Sequence, residues 1–301
     1  MTVNDIVSYL QLQSQIIRVT GDRNQEIQGF SSLYNYREGT LTWLRHISVL
    51  EREAVQKPVF YTCVITGKDS PDISCAGSQI WTDNPKECFF QILDAFWGEK
   101  SIPVVSPSAQ IAEGACIGKD VSVGAFTSIS AQTVIGNNCR IGDHVTIKGK
   151  VRIGDNCIIQ SGSVIGEDGF AFIKKENVPI HVSHYGGVTI EHDVSVGAQT
   201  CICRGAIDDT LIKEYARIDN LCHIAHNAVI GRRTVIVAGT VIMGSVHVGD
   251  DCWISTSVIR DQRTVGSNSV VGMGAVVVRD VPDHVTVAGN PARPFRRKEE
   301  I

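Results

Sequence analysis

The feature that most restricts this chain is a spacing. From Val105 an aliphatic residue recurs at every sixth position: Val105, Ile111, Ile117, Val123, Ile129, Ile135, Ile141, Ile147, Ile153, Ile159 and Ile165. A period of six matches neither the 3.6-residue turn of a helix nor the two-residue alternation of a half-buried strand. It matches a solenoid whose flat sides are six residues long, each turning its aliphatic side chain inward. Three such sides close one coil, so residues eighteen apart stack at about 4.8 Å. Glycine follows the aliphatic at 118, 124, 136, 142, 154 and 166, which reads as a corner residue. The pattern breaks over 166–187, which must leave the coil as a loop. It resumes at Ile190, slips by four around Arg204–Thr210, and runs on from Ile212 through Ile254, Ile259 and Val277. That makes about nine coils.

Three segments follow from this periodicity. Residues 1–100 precede the repeat and carry mixed signals, so they are expected to form a small α/β domain. Apolar residues at helical spacing run from Val3 to about Ile17, and β-like runs cover Ile27–Leu33, Thr40–Leu44, Val59–Ile65 and Gln79–Thr82. Asp83-Asn84-Pro85 then gives a capped start to a helix that Gly98 stops. Residues 101–281 are the solenoid with its loop insertion at 166–187. Residues 282–301 are a basic tail containing Arg293, Arg296 and Arg297.

Composition narrows the functional classes. A net charge of −4 argues against a general nucleic-acid-binding surface. The N-terminus lacks a basic segment followed by an apolar core, and no apolar run approaches the roughly 20 residues that span a bilayer. A soluble, cytoplasmic protein is expected. The ten cysteines show no framework spacing, Cys201 and Cys203 forming only a C-x-C, so reduced and mostly buried thiols are expected and no metal site is assigned.

The densest chemistry lies in Ile218–Gly244, around His223-Ile-Ala-His226-Asn227. His226 lies two residues after the inward Ile224, near a corner, and Gly244 lies one coil later at 226 + 18. A glycine stacked on a histidine lets a substrate approach the backbone closely, and its N–H can donate to an oxyanion. Histidine, titrating near neutrality, suits a general base. Asp208 or Asp209, in the slipped coil below, would orient the imidazole or contact an amine; turn chemistry at the slip explains them equally well. His223 is read as a further polar contact or a surface histidine.

These segments resemble the hexapeptide-repeat acyltransferases, and within them the UDP-3-O-acylglucosamine N-acyltransferase family and its nucleotide-sugar relatives. The resemblance rests on Gly29-Phe30-Ser31-Ser32-Leu33, Gly39–Trp43, Asp168-Gly169-Phe170, Arg204–Thr210, Asp219-Asn220 and Ile224–Asn227 through Ser245. It implies a left-handed parallel β-helix, a homotrimer, and acyl transfer to the amino group of a nucleotide-linked (UDP or dTDP) sugar. It gives His226 the role of base and Gly244 that of oxyanion donor. It further implies substrate contacts from Phe30, Trp43, Asp168, Phe170, Asn220, His223 and Asn227, and donor contacts from Ser245, Arg293 and Arg296. No tightly bound cofactor is implied; acyl-CoA or an acyl carrier protein is a co-substrate.

The chain also departs from that family. The family holds uracil with an aromatic, an asparagine and a tyrosine, whereas the corresponding residues here are Trp43, His46 and Val49. A second family histidine corresponds to Gln262. In place of a C-terminal helical extension that helps bind acyl carrier protein stands Val287–Arg293, similar to the ending of coenzyme-A-dependent sugar acetyltransferases. An acyl-CoA donor is therefore expected, with the carrier-protein-dependent lipid A enzyme as the alternative. Two further readings are a metal-dependent hydrolyase using His223, His226 and His247, and a binding scaffold without turnover.

Overall fold

A computed structural model describes residues 1–13, 15, 18–44, 60–98 and 102–297, with side chains to residue 294. His46 and Val49 lie outside the described residues. The chain divides into two compact units, Met1–Ser101 and Ile102–Ile301.

In the first unit, helix α1 (Val3–Leu12) starts at a capping box in which Thr2 and Asp5 satisfy each other's backbone N–H groups. It buries Val3, Ile6, Val7 and Leu10, and ends at Gln13 rather than near Ile17. Five strands follow: β1 (Arg18–Gly21), β2 (Gly29–Phe30), β3 (Thr40–Trp43), β4 (Tyr61–Gly67) and β5 (Ala76–Thr82). They form one sheet in the order β1-β5-β4-β3-β2, with only β1 antiparallel to its neighbour. Helix α2 (Pro85–Phe96) is capped by Asn84, with proline in its first turn, and buries Cys88, Phe89 and Ile92. Strand β1 has no alternating apolar face, its residues being exposed or half-buried, so the periodicity gave no sign of it.

The second unit is the left-handed parallel β-helix. Its sides are mostly two-residue strands, each a half-exposed residue followed by the buried aliphatic. They stack into three parallel sheets of eight, ten and nine strands. Register is strict: Cys201 pairs with His223 and His223 with Val241, while Ile202, Ile224 and Ile242 form the inward ladder beside them. Each buried isoleucine contributes about 1.5–3 kcal/mol relative to exposure. The ladder thus holds the coils together without any long strand.

Two local expectations need correction. The glycine after the aliphatic is mostly not the corner, Gly166 (φ 91°) being the exception. Gly118, Gly124 and Gly142 are not left-handed; a Cβ on any of them would stand 2.4–2.6 Å from the backbone or side chain of the next coil. The left-handed turn falls two positions later, at Asp120, Phe126, Asn138, His144, Asn156, Asn227 and Ser245 among others. The glycines directly after the aliphatic therefore serve the close approach of stacked coils, and the left-handed turn falls to other residues, among them Gly114, Gly162, Gly239 and Gly274. Nor does the solenoid end at Val281-Pro282. Val285–Ala288 pairs in parallel with Val270–Val271 as a further rung, and Arg293–Arg297 folds back antiparallel on it. The insertion at 166–187 is a hairpin, Phe172–Lys175 against Val178–His181. No helix among the described residues is long and apolar enough to cross a membrane.

Candidate active site

Where the hairpin insertion lies on the solenoid, it encloses a cavity of about 920 Å³. The insertion supplies Glu167–Phe172 and His181. The coils supply Cys201, Cys203, His223, Ala225, His226, Met243, Gly244, Ser245 and Arg260–Gln262. The structure thus brings together Asp168, Phe170, His223, His226, Gly244 and Ser245 from the sequence analysis.

Two glycines closely approach His226. A Cβ on Gly244 would stand 2.7 Å from its Nε2 and 2.8 Å from its Cε1. A Cβ on Gly169 would stand 2.7 Å from its Cβ and Cδ2. Any side chain at either place would displace the ring.

The imidazole's tautomer follows from its neighbour. The Ala206 N–H donates to Asn227 Oδ1 at 2.8 Å, which identifies that atom as the amide oxygen. His226 Nδ1 lies 3.1 Å from the same oxygen, so Nδ1 carries the hydrogen and donates. Nε2 is then the atom with the free lone pair, on the side of Gly244. Asn227 sits at a left-handed corner (φ 60°), a conformation asparagine tolerates well. It was expected to touch substrate; its oxygen instead orients the histidine.

Two residues after the inward aliphatic, the backbone N–H is at several coils taken by a side chain one coil up. Ala125 donates to Asp143, Asn137 to Asp155 and Arg232 to Asp250, at 2.6–2.7 Å. Among the described residues Gly244 N–H has no such acceptor. The neighbouring Ser245 N–H is engaged by His226 O at 2.9 Å.

Asp209 does not reach His226. Its Oδ1 accepts from Lys150 Nζ at 3.1 Å and Gly187 N at 2.8 Å, and its Oδ2 from Thr189 Oγ1 at 2.9 Å. Burial favours its neutral form, but the bonds from Lys150, Thr189 and Gly187 together outweigh this and hold the carboxyl below its ordinary value. It anchors the slipped coil to the root of the hairpin. Asp208 is exposed at the same slip and does not line the cavity. Asn220 is also elsewhere, its Oδ1 accepting from Ala198 N–H at 2.6 Å. Asp168 pairs with Arg204 at 3.3 Å, while Phe170 is 87% exposed against the Phe172 ring.

In the first unit Trp43 packs against the core, its ring 6.5 Å from Phe89, and Phe30 lies edge-on to Trp97. Arg293 is exposed on the final strand, and the Arg296 side chain lies outside the described residues.

One residue of the site was missed. His184, from the end of the insertion, is 5% exposed and lies edge-on to His226 at 5.3 Å. Its Nδ1 is bonded to Val182 O at 3.0 Å, and its buried Nε2 has no partner among the described residues. Unlike His226, it lies where the six-residue register is suspended, so no periodicity placed it. Beside His226 the cavity wall also carries Cys201, Cys203 and His223. Hydrogen bonds from Cys203 and then His223 lower the Cys201 thiol to about 5 against the opposing effect of burial.

Comparison with known proteins agrees with this architecture. The family description "Bacterial transferase hexapeptide (six repeats)" matches residues 132–167 and 209–244. A UDP-3-O-acylglucosamine N-acyltransferase of Delftia acidovorans is 35% identical over 246 residues, covering 80% of this chain and 72% of that protein. The enzyme of the same name from Caulobacter sp. (strain K31) is 39% identical over 140 residues, 46% of this chain and 41% of its own length. The chain therefore spans about two fifths of the length of that relative. Among solved structures, a UDP-N-acetylglucosamine acyltransferase of Francisella novicida superposes with a TM-score of 0.60 at 25% identity, covering 65% of this chain and 71% of that one.

Proposed function

Because the chain belongs to the UDP-3-O-acylglucosamine N-acyltransferase family, we propose that it transfers an acyl group from a thioester to the amino group of a nucleotide-linked amino sugar. One observation carries the reading: an imidazole closely approached by two glycines, with Nδ1 committed to Asn227 and Nε2 left for the cavity. His226 Nε2 takes the proton of the sugar amine as its nitrogen attacks the thioester carbonyl carbon. Negative charge then develops on the carbonyl oxygen, which Gly244 N–H stabilises. Collapse breaks the carbon–sulfur bond, and the imidazolium returns its proton to the departing thiolate. Holding both substrates in one cavity supplies the proximity such a direct attack needs.

The relatives' name points to UDP-3-O-acylglucosamine as the acceptor and the lipid A reading as the function. The turn at Val287–Arg293, similar to coenzyme-A-dependent sugar acetyltransferases, favours acyl-CoA as the donor, with acyl carrier protein the alternative. The trimer rests on resemblance alone, and so do the base contact of Trp43 and the donor contacts of Arg293 and Arg296. The test is a mass-spectrometric screen of UDP- and dTDP-amino sugars against acyl-CoA and acyl carrier protein donors. Wild-type protein should acylate one acceptor, and His226→Ala should lose about 10²–10⁴-fold in rate. Full turnover by that variant would overturn the mechanism; turnover with carrier protein alone would decide the donor against CoA.

A further inference from the structure

The wall beside His226 carries three donor atoms to which the proposed acyl-transfer steps assign no role. Sγ of Cys201, Sγ of Cys203 and an imidazole nitrogen of His223 all lie within 4.8 Å of one another. Their placement follows from the fold. Cys201 and Cys203 flank the inward Ile202 and so share the outer face of one strand. His223 is the register partner of Cys201 on the next coil. The solenoid fixes these backbones, so the three donors are held in place without any ligand. Ala225 and Met243 also line the cavity, and the Glu167 and Asp168 carboxylates stand near the thiols.

We propose that Cys201, Cys203 and His223 form a binding site for a soft divalent cation, zinc above all. Two thiolates and one imidazole are the donor set that selects zinc over magnesium or calcium, whose ligands are oxygens. Binding replaces any thiol hydrogen with the metal, and the displaced protons pass to solvent. Three protein ligands leave one position of a tetrahedral ion for water or a ligand from the cavity. The second donor group in the cavity, Asp168 with His181 and His184, suits zinc less well: Asp168 is already paired with Arg204 and His184 Nδ1 with Val182 O. Because the Cys–Cys–His site shares a wall with His226, its occupancy would change what the cavity admits.

The test reads binding, so it is independent of whether the chain transfers acyl groups. The full chain, stripped with a chelator and handled anaerobically, is titrated with Co²⁺ and then with Zn²⁺. The expected result is one Co²⁺ per chain, with near-ultraviolet thiolate-to-cobalt bands and visible bands of a tetrahedral ion, displaced by one equivalent of Zn²⁺. Cys201→Ser and Cys203→Ser should each abolish the near-ultraviolet bands or weaken binding by at least about 10²-fold, and His223→Ala should weaken it similarly. His247→Ala, on a different sheet of the coil, should leave binding unchanged. The wild-type titration needs no variant to fold, and absence of thiolate bands there would overturn the site. So would bands of undiminished intensity at wild-type affinity in either folded cysteine variant, or an affinity unmoved by His223→Ala.

Discussion

Gly244→Ala isolates the geometry proposed for catalysis. The residue is not in the left-handed region, so alanine brings no backbone strain. Its methyl group would stand 2.7 Å from His226 Nε2 and 2.8 Å from Cε1. Non-bonded carbon and nitrogen settle at about 3.5 Å, so the ring would have to retreat by roughly 0.8 Å. Gly169 also lies close to the ring, near its Cβ and Cδ2, which limits the room for retreat. A misplacement of about 1 Å can cost about 10²-fold in rate, equivalent to about 2.7 kcal/mol in the barrier. The expected outcome is a fall in kcat of that order, with the acceptor KM changed by less than about threefold and Tm within about 3 °C of wild type. Steady-state kinetics with the acceptor and donor found in the screen, together with thermal unfolding, would measure all three. If His226→Ala is inactive while Gly244→Ala keeps a third or more of wild-type kcat, the steric argument is wrong.

Further outcomes follow from the neighbouring contacts. Asn227→Gly keeps the left-handed corner accessible but removes the oxygen that fixes the imidazole, so it should lose about 10-fold or more in kcat with little change in Tm. Asn227→Ala should add a stability loss of about 1–2 kcal/mol from the strained corner, visible in denaturant unfolding. Asp209→Asn should destabilise by about 1–2 kcal/mol at neutral pH, since three donors face a carboxylate in the folded state. Its folded pKa is depressed, so the wild-type advantage is present above the unfolded value near 3.9 and fades as pH falls below it. Unfolding curves of the two proteins should converge there; a constant gap down to pH 2 would reject the assignment. His184→Ala removes a buried nitrogen that finds no partner among the described residues, so it should raise the acceptor KM about 10-fold while stability changes little. An unchanged KM would mean that the nitrogen meets only water.

The sequence was most legible where its register is strict. A fixed step of six residues decides which side chain faces inward, so the stacking of His226 on Gly244 could be read before any coordinates. Where the step fails, so did the reading. The hairpin strands at Phe172–Lys175 and Val178–His181 are exposed throughout and carry no in–out alternation to recognise. His184 lies just beyond them, and only the folded insertion carries it to His226. The part of Asn227 was missed for a different reason, and Asp209 took the turn reading rather than the catalytic one. Both flank the histidine in the pattern, but a left-handed corner turns one side chain towards the ring while Lys150 and Thr189 hold the other away. Cys201 and His223 were each visible, yet their pairing depends on a coil that the slip at Arg204–Thr210 had lengthened. From Cys201 to His223 the step is 22 residues rather than 18.

The parallel ladders also bear on how such a molecule can vary. Every rung of the solenoid touches only the rung before and the rung after it, and inward residues of successive rungs are interchangeable isoleucines and valines. Length is then nearly a free variable: a whole coil between Ile117 and Ile153 can be gained or lost without shifting any side chain from core to surface. The catalytic block cannot drift in this way. It draws on one insertion and the few coils between Cys201 and Gln262, and a change of a single residue there would rotate His226 off its glycine. The fold therefore separates a part that tolerates indels in units of one turn from a part that tolerates none.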